Sequence, residues 1–247
     1  MSEIIKTEAV VLSKMNYGDS SNIATLLTDE LGKLSVIIKG ARSSKSKYGK
    51  AVDPLNYLLV VLYKKESREV QLLSSADLIN HFPDLKSDLS RLSYAYAVIE
   101  LVKNLIAEHE VNKKLFKGVI KILERINLGD ENPQISFGRF FLFFLKEIGY
   151  EIQVETCAVC GKMIKSEPVY YHRDKGLICG SCKNSVVDIN EINMELLRYL
   201  NCLKNNESAN NFGHQILQKS LMFMENHLKY HLPDFKEISS LKLFNLR

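Results

Sequence analysis

Two cysteine pairs carry the plainest chemical signal in the sequence. Cys157 and Cys160 form one Cys-x-x-Cys step and Cys179 and Cys182 a second, with eighteen residues between them, in "CAVCGKMIKSEPVYYHRDKGLICGSC". Each short step turns two sulfurs to one side of a knuckle, and two knuckles complete a tetrahedron around one ion. Gly161 follows the first pair and Gly180 lies inside the second, giving the backbone room to turn. Four thiolates leave no open position for water or substrate, so the spacing predicts one structural Zn2+ rather than a catalytic one. A redox Cys-x-x-Cys needs only one pair, and a zinc deaminase would need H-x-E before P-C-x-x-C, which does not occur. His172 reads as a loop residue between the pairs and Cys202 as a buried helix thiol. His227 and His231 read as surface histidines, because the glutamate of H-E-x-x-H is missing.

A second signal is charge. From Lys33 to Lys50 the chain carries Lys33, Lys39, Arg42, Lys45, Lys47 and Lys50 with no acid among them, against a net charge of +4 overall. A run of this kind reads either as a solvated loop or as a phosphate-binding segment. In the second case it would release counterions and bind without regard to sequence. Lys64, Lys65 and Arg68, in the next hairpin, would extend the track, and Tyr48, Tyr57 or Tyr63 could stack on bases.

The elements that must position these residues divide at about residue 80. Before it lie five short strand patterns: "EAVVLSKM", "SNIATLLT", "KLSVIIKG", "YLLVVLYKK" and "EVQLLSSADL". Turns at roughly ten-residue intervals predict a small antiparallel barrel or sandwich, and Pro54 suits the start of the fourth strand. After "HFPDL" the apolar period lengthens to three and four, predicting helices over 88–109, 112–127, 135–150, 190–204 and 212–232. Asp84 or Ser87 would cap the first, Gly129 would end the second and Gly149 the third, whose apolar surface runs nearly all round. The expected architecture is α+β: residues 1–80 a β-rich barrel or sandwich, and 81–247 a helical domain with a zinc module at about 153–186.

The bulk numbers suit an ordinary globular chain, 46% hydrophobic and 25% charged over 247 residues. "MSEIIKTEAVVLS" has no basic start followed by an apolar run, and the apolar stretch "FFLFFL" is too short for a membrane span. A cytoplasmic location with no membrane partner follows as the expectation, and reduced thiols with it. None of G-x-x-x-x-G-K-[ST], G-x-G-x-x-G or G-x-S-x-G occurs. The chain therefore reads as a binding protein, not an enzyme.

The order of motifs resembles one family. Tyr17-Gly18-Asp19-Ser20 after a strand, Thr25 and Thr28, the turn glycine Gly32, and Lys39 to Arg42 as Lys-Gly-Ala-Arg are similar to the opening of the bacterial RecO family of DNA repair and recombination mediators. "DPLNYLLVVLYKK", then "LKEIGYEIQVETCAVCGK" and "YYHRDKGLICGSC", continue the likeness over most of residues 5–185. Ser43 stands where a second arginine is common, leaving Lys45 and Lys47 to carry that charge; Asp19 replaces glutamate, and Lys175-Gly176 replaces Gly-Gly. The resemblance implies an OB-fold that binds single- and double-stranded DNA and a helical domain bearing zinc. It also implies annealing of complementary strands, and partnership with RecR and the single-strand-binding protein in loading RecA. No nucleotide hydrolysis goes with it. The alternative reading is a zinc-bearing OB-fold protein that binds RNA or serves translation.

Overall fold

The computed structural model describes residues 3–43, 46, 48–166 and 168–243. Five strands, β1 (Glu3–Tyr17), β2 (Ser21–Thr28), β3 (Gly32–Ile38), β4 (Tyr57–Lys64) and β5 (Val70–Asn80), close a barrel in the order β1-β2-β3-β5-β4. All pairs are antiparallel except β3 with β5, where Ser35 to Ile37 run parallel to Val70 to Leu72. Closure by the β1–β4 pair, Glu3 opposite Lys64 through Val10 opposite Tyr57, leaves no free edge. This is the five-stranded, OB-like arrangement expected.

Alternation supplies the barrel's core. In β2 and β4 every second residue is buried, so Ala24, Leu26, Leu58, Val60 and Leu62 meet Val36, Ile38 and Val52 inside. β1 departs from this pattern, burying Ala9, Val10, Val11 and Leu12 in succession. Its register slips between Val11 and Ser13, a bulge that inserts Leu12. At the bulge the backbone of Val11 bonds both ways to the Asp53-Pro54-Leu55-Asn56 segment, accepting from Leu55 N–H at 2.9 Å and donating to Asn56 C=O at 3.0 Å. Leu55 is fully buried there despite a φ of +72°.

Seven helices follow among the described residues: α1 (Pro83–Ser87), α2 (Leu89–Leu105), α3 (Lys113–Leu128), α4 (Pro133–Glu147), α5 (Met194–Lys204), α6 (His214–His231) and α7 (Ser239–Leu243). Asp88, not Asp84 or Ser87, caps α2 by accepting from Arg91 N–H, because residues 83–87 form the short α1. Asn112 caps α3, and Gly129 closes it at φ +75°. The chain divides into two compact units, one running to Asp130 and including residues from Ser240, the other Glu131–Ser239. The first unit holds the barrel together with α1, α2 and α3: α2 packs on β1, and Ser240 donates to the Glu100 carboxylate at 2.6 and 2.8 Å.

In the second unit α4, α5 and α6 pack together, with Phe137, Phe140, Phe141 and Phe144 of α4 buried. The buried Arg139 satisfies its guanidinium with the Glu131 carboxylate at 2.8 Å, the carbonyls of Cys202 and Leu203 in the last turn of α5, and that of Glu207 just past it. A charge so placed is stable only because its donors are met. The same unit holds a three-stranded sheet, β6 (Val169–His172), β7 (Gly176–Cys179) and β8 (Asn190–Glu191), with β6 central. No helix among the described residues is long and apolar enough to cross a membrane.

Candidate functional site

The four paired cysteines meet. In the first knuckle Gly161 N–H donates to Cys157 C=O at 2.9 Å, and Cys157 N–H to Lys162 C=O at 2.9 Å, folding the chain at Gly161, where φ is +70°. Cys179 ends β7, and Cys182 lies in a 3-10 turn over Gly180–Ser185. Gly180 is required: a Cβ there would stand 2.9 Å from the ring of Pro168. The knuckles are joined by Ala158 N–H to Leu177 C=O at 2.7 Å.

All four sulfurs lie within 4.8 Å of one another, and the Sγ atoms of Cys160 and Cys179 are 3.8 Å apart. Metal–sulfur bonds of about 2.3 Å in a tetrahedron require sulfur separations of about 3.8 Å, so the residues fit a four-thiolate ion. Burial opposes charge on the Cys157 thiol, yet donors from the backbone of Cys179, Cys160 and Val159 outweigh it and bring the pKa to about 6. Hydrogen bonding among the crowded thiols, with Cys179 foremost, pushes Cys182 up to about 12. One sulfur is thus prepared for a cation, while the last proton leaves readily only when a cation replaces it. His172 is not among the ligand atoms; its Nδ1 accepts from the N–H groups of Asp174 and Lys175 and holds the β6–β7 turn.

The basic residues sort less simply. Lys39, Arg42 and Lys50 are exposed after β3, while Lys45 and Lys47 lie outside the described residues. Arg42 donates to the carbonyls of Gly18 and Asp19, and its backbone N–H to Ser20 C=O at 3.0 Å. The two turn motifs, 17–20 and 39–42, therefore clasp each other. Gly49 closes the neck of the segment so tightly that a Cβ would lie 2.0 Å from the Ala41 carbonyl oxygen. Lys33 leaves the track: it is 9% exposed, donates to Lys103 C=O at 2.6 Å, and burial lowers its pKa.

Lys64, Lys65 and Arg68 do not continue the 39–50 segment. The parallel β3–β5 pairing puts the β4–β5 turn beside the start of β3, whereas residue 39 follows its end. Lys64 and Arg68 instead line a cavity of about 320 Å3 with Glu30, Glu66, His109 and Val111. Two of the three candidate stacking tyrosines are also engaged, Tyr48 against the barrel core and Tyr57 with its hydroxyl on the Glu8 carboxylate and its ring on Phe116.

His227 departs most from expectation. It is 6% exposed, accepting from Tyr171 O–H at Nδ1 (2.6 Å) and donating from Nε2 to Tyr150 C=O (3.0 Å). That assignment is the one a neutral ring makes with its proton on Nε2, and burial lowers its pKa to about 4. The sequence signal was the i, i+4 pair on an amphipathic helix, which equally permits the inner face.

A closed OB-like barrel in one compact unit and a four-thiol knuckle site in a second, helical unit define the class as a barrel protein with an inserted metal module. The family models "Recombination protein O N terminal" and "Recombination protein O C terminal" match residues 1–82 and 86–240. The chain belongs to the RecO family. It is 34% identical over 163 residues to the DNA repair protein RecO of Chlorobium limicola, covering 66% of this chain and 62% of that one. To the protein of the same name from Anaeromyxobacter sp. it is 30% identical over 183 residues, 74% and 72% of the two chains. To that of Chlorobaculum parvum it is 39% identical over 154 residues, 62% and 59%. In the first and third cases the match spans less than two thirds of the relative's length. Membership in this family of DNA repair proteins supports a DNA repair role.

Proposed function

We propose that the protein is a recombination mediator that acts by binding rather than by catalysis. In this reading the barrel, residues 1–80, binds single- and double-stranded DNA through phosphate contacts from Lys39, Arg42, Lys45, Lys47 and Lys50, with Lys64, Lys65 and Arg68 as a separate group. Residues 81–247 carry one structural zinc on Cys157, Cys160, Cys179 and Cys182. The protein anneals complementary strands and, with RecR, helps load RecA onto strands covered by the single-strand-binding protein, in the cytoplasm and on the nucleoid when DNA-bound. The supporting observation is the clasp of the exposed Lys39–Arg42 stretch onto the 17–20 turn: it fixes cations at one end of a closed barrel.

Cations on such a rim neutralise phosphates and release counterions, so affinity falls steeply with salt and ignores base sequence. The zinc, once bound, supplies folding energy to the β6–β7 hairpin and no chemistry. Fluorescence anisotropy with mixed-sequence DNA and RNA strands over a salt series tests the reading. Salt-sensitive, sequence-indifferent binding that favours DNA is expected. Preference for RNA, or salt-independent binding, would overturn it in favour of an RNA-directed protein.

A further inference from the structure

Helix α3 carries Lys113, Lys114, Lys117, Lys121 and Arg125 against the single acid Glu124, a net +4 that equals the formal net charge of the whole chain. At about 100° per residue these five cations fall in an arc of about 120°, while the buried Leu115, Phe116, Val119, Ile122, Leu123 and Ile126 face the opposite way. Lys113, Lys114, Lys117 and Lys121 are exposed. The spacing is costly to the helix itself. Lys113 with Lys117, Lys117 with Lys121, and Lys121 with Arg125 are like charges four residues apart, each pair destabilising. A solvated face selected for helix stability alternates signs; here Glu124 is the single acid that the helix places within the arc, so most of the positive charge is left for a polyanion to meet.

The face does not end with the helix. The 106–112 connection is pinned to the start of β3, at the β2–β3 turn, where His109 N–H donates to Lys33 C=O at 2.8 Å and a Cβ on Gly32 would meet the Glu110 backbone at 2.2 Å. Lys113 lies 3.7 Å from Asp29 of that same turn. His109 and Val111 line the cavity that holds Lys64 and Arg68, so those two cations, apart from the 39–50 segment, stand beside the start of α3. Glu30 and Glu66 share that cavity, and the net positive sign therefore resides on the helix. The 39–50 segment leaves the far end of β3, a strand of seven residues, or about 23 Å.

We infer that the α3 face is a second phosphate-tracking surface, about 24 Å long, that holds a nucleic-acid strand separately from the 39–50 segment. One molecule then carries two strands at once, which brings complementary strands within reach of each other. This inference rests on the DNA-binding reading above. It identifies the ligand by charge complementarity alone: a run of phosphates, without base recognition.

The test uses the full, zinc-loaded chain and its Lys114→Gln/Lys117→Gln/Lys121→Gln variant, whose exposed, helix-compatible substitutions leave the thermal midpoint unchanged or slightly raised. Binding of an oligo-dT strand is followed over a salt series. Energy transfer between two non-complementary strands, one donor- and one acceptor-labelled, reports joint capture. The variant's slope of log K against log salt should become shallower by about 2, from three lost single-strand contacts at about 0.7 each, and the transfer signal should vanish. Unchanged slope and transfer, in a protein whose wild type binds DNA, would overturn the second surface and leave the first intact. A wild type that binds no DNA would overturn both. Loss of binding to an acidic peptide, with DNA binding unaltered, would assign the face to a protein partner and overturn the inference.

Discussion

Acid should loosen the second unit through His227. The ring sits between Tyr171 O–H and Tyr150 C=O, with His231 edge-on to it at 4.5 Å between ring centres. The charged groups that line the neighbouring cavity with His227 are Arg173, Asp174, Lys175 and Glu151. Burial holds the folded pKa at about 4, against about 6.5 in the unfolded chain. Because the folded value is the lower one, the unfolded state binds more protons between these pH values, and stability falls as pH drops from 6.5 towards 4. At pH 5 the linkage amounts to about 2 kcal/mol, and partial access of water through the neighbouring cavity reduces the expectation to about 1–2 kcal/mol. Urea unfolding of zinc-loaded wild type and His227→Gln at pH 8 and pH 5 measures it. The thiolate site also responds to acid, so the informative quantity is the difference between the two proteins at each pH. The variant should be less stable at pH 8, having lost the Tyr171 bond, and the gap should shrink by about 1–2 kcal/mol at pH 5. A gap that stays constant would refute the argument.

Other perturbations give distinct readouts. Cys160→Ser should lower zinc content from one ion per chain and reduce the melting temperature, with hydrogen exchange accelerating in β6 and β7; full zinc retention in the variant would count against the four-thiolate site. Glu131→Gln should cost about 3 kcal/mol, because it strips the countercharge from the buried Arg139; calorimetry showing a change within about 0.5 kcal/mol would contradict the role given to that pair. Arg42→Gln should both destabilise the barrel by about 1 kcal/mol, through the lost bonds to the 17–20 turn, and weaken DNA binding. Weakened binding at unchanged stability would show that the clasp contributes nothing.

The parts of the molecule that were legible in the sequence are those with local causes. Period-two strands, glycine at Gly129 and the cysteine spacing each act through neighbours a few residues away, and each appears in the fold as expected. What could not be read depends on contacts distant in sequence. Lys33 looks like any cation until the Lys103 carbonyl, seventy residues on, draws it inward. The bulge at Val11 exists because residues 53–56 dock there. The separation of Lys64 and Arg68 from the 39–50 segment follows from the parallel β3–β5 pairing, which no strand pattern encodes. His227 turned inward because α6 shows an apolar neighbour on each side, and periodicity alone does not say which edge of the stripe is covered. The cations of α3 were visible at helical spacing, yet their meaning emerges only once the buried face is known.

The most direct test of the mediator account is annealing of complementary single strands coated with the cognate single-strand-binding protein, without nucleotide. The account predicts acceleration by the zinc-loaded protein, lost at high salt and reduced by neutralising Arg42, Lys45 and Lys47 together. No acceleration by a folded, zinc-loaded protein would contradict it.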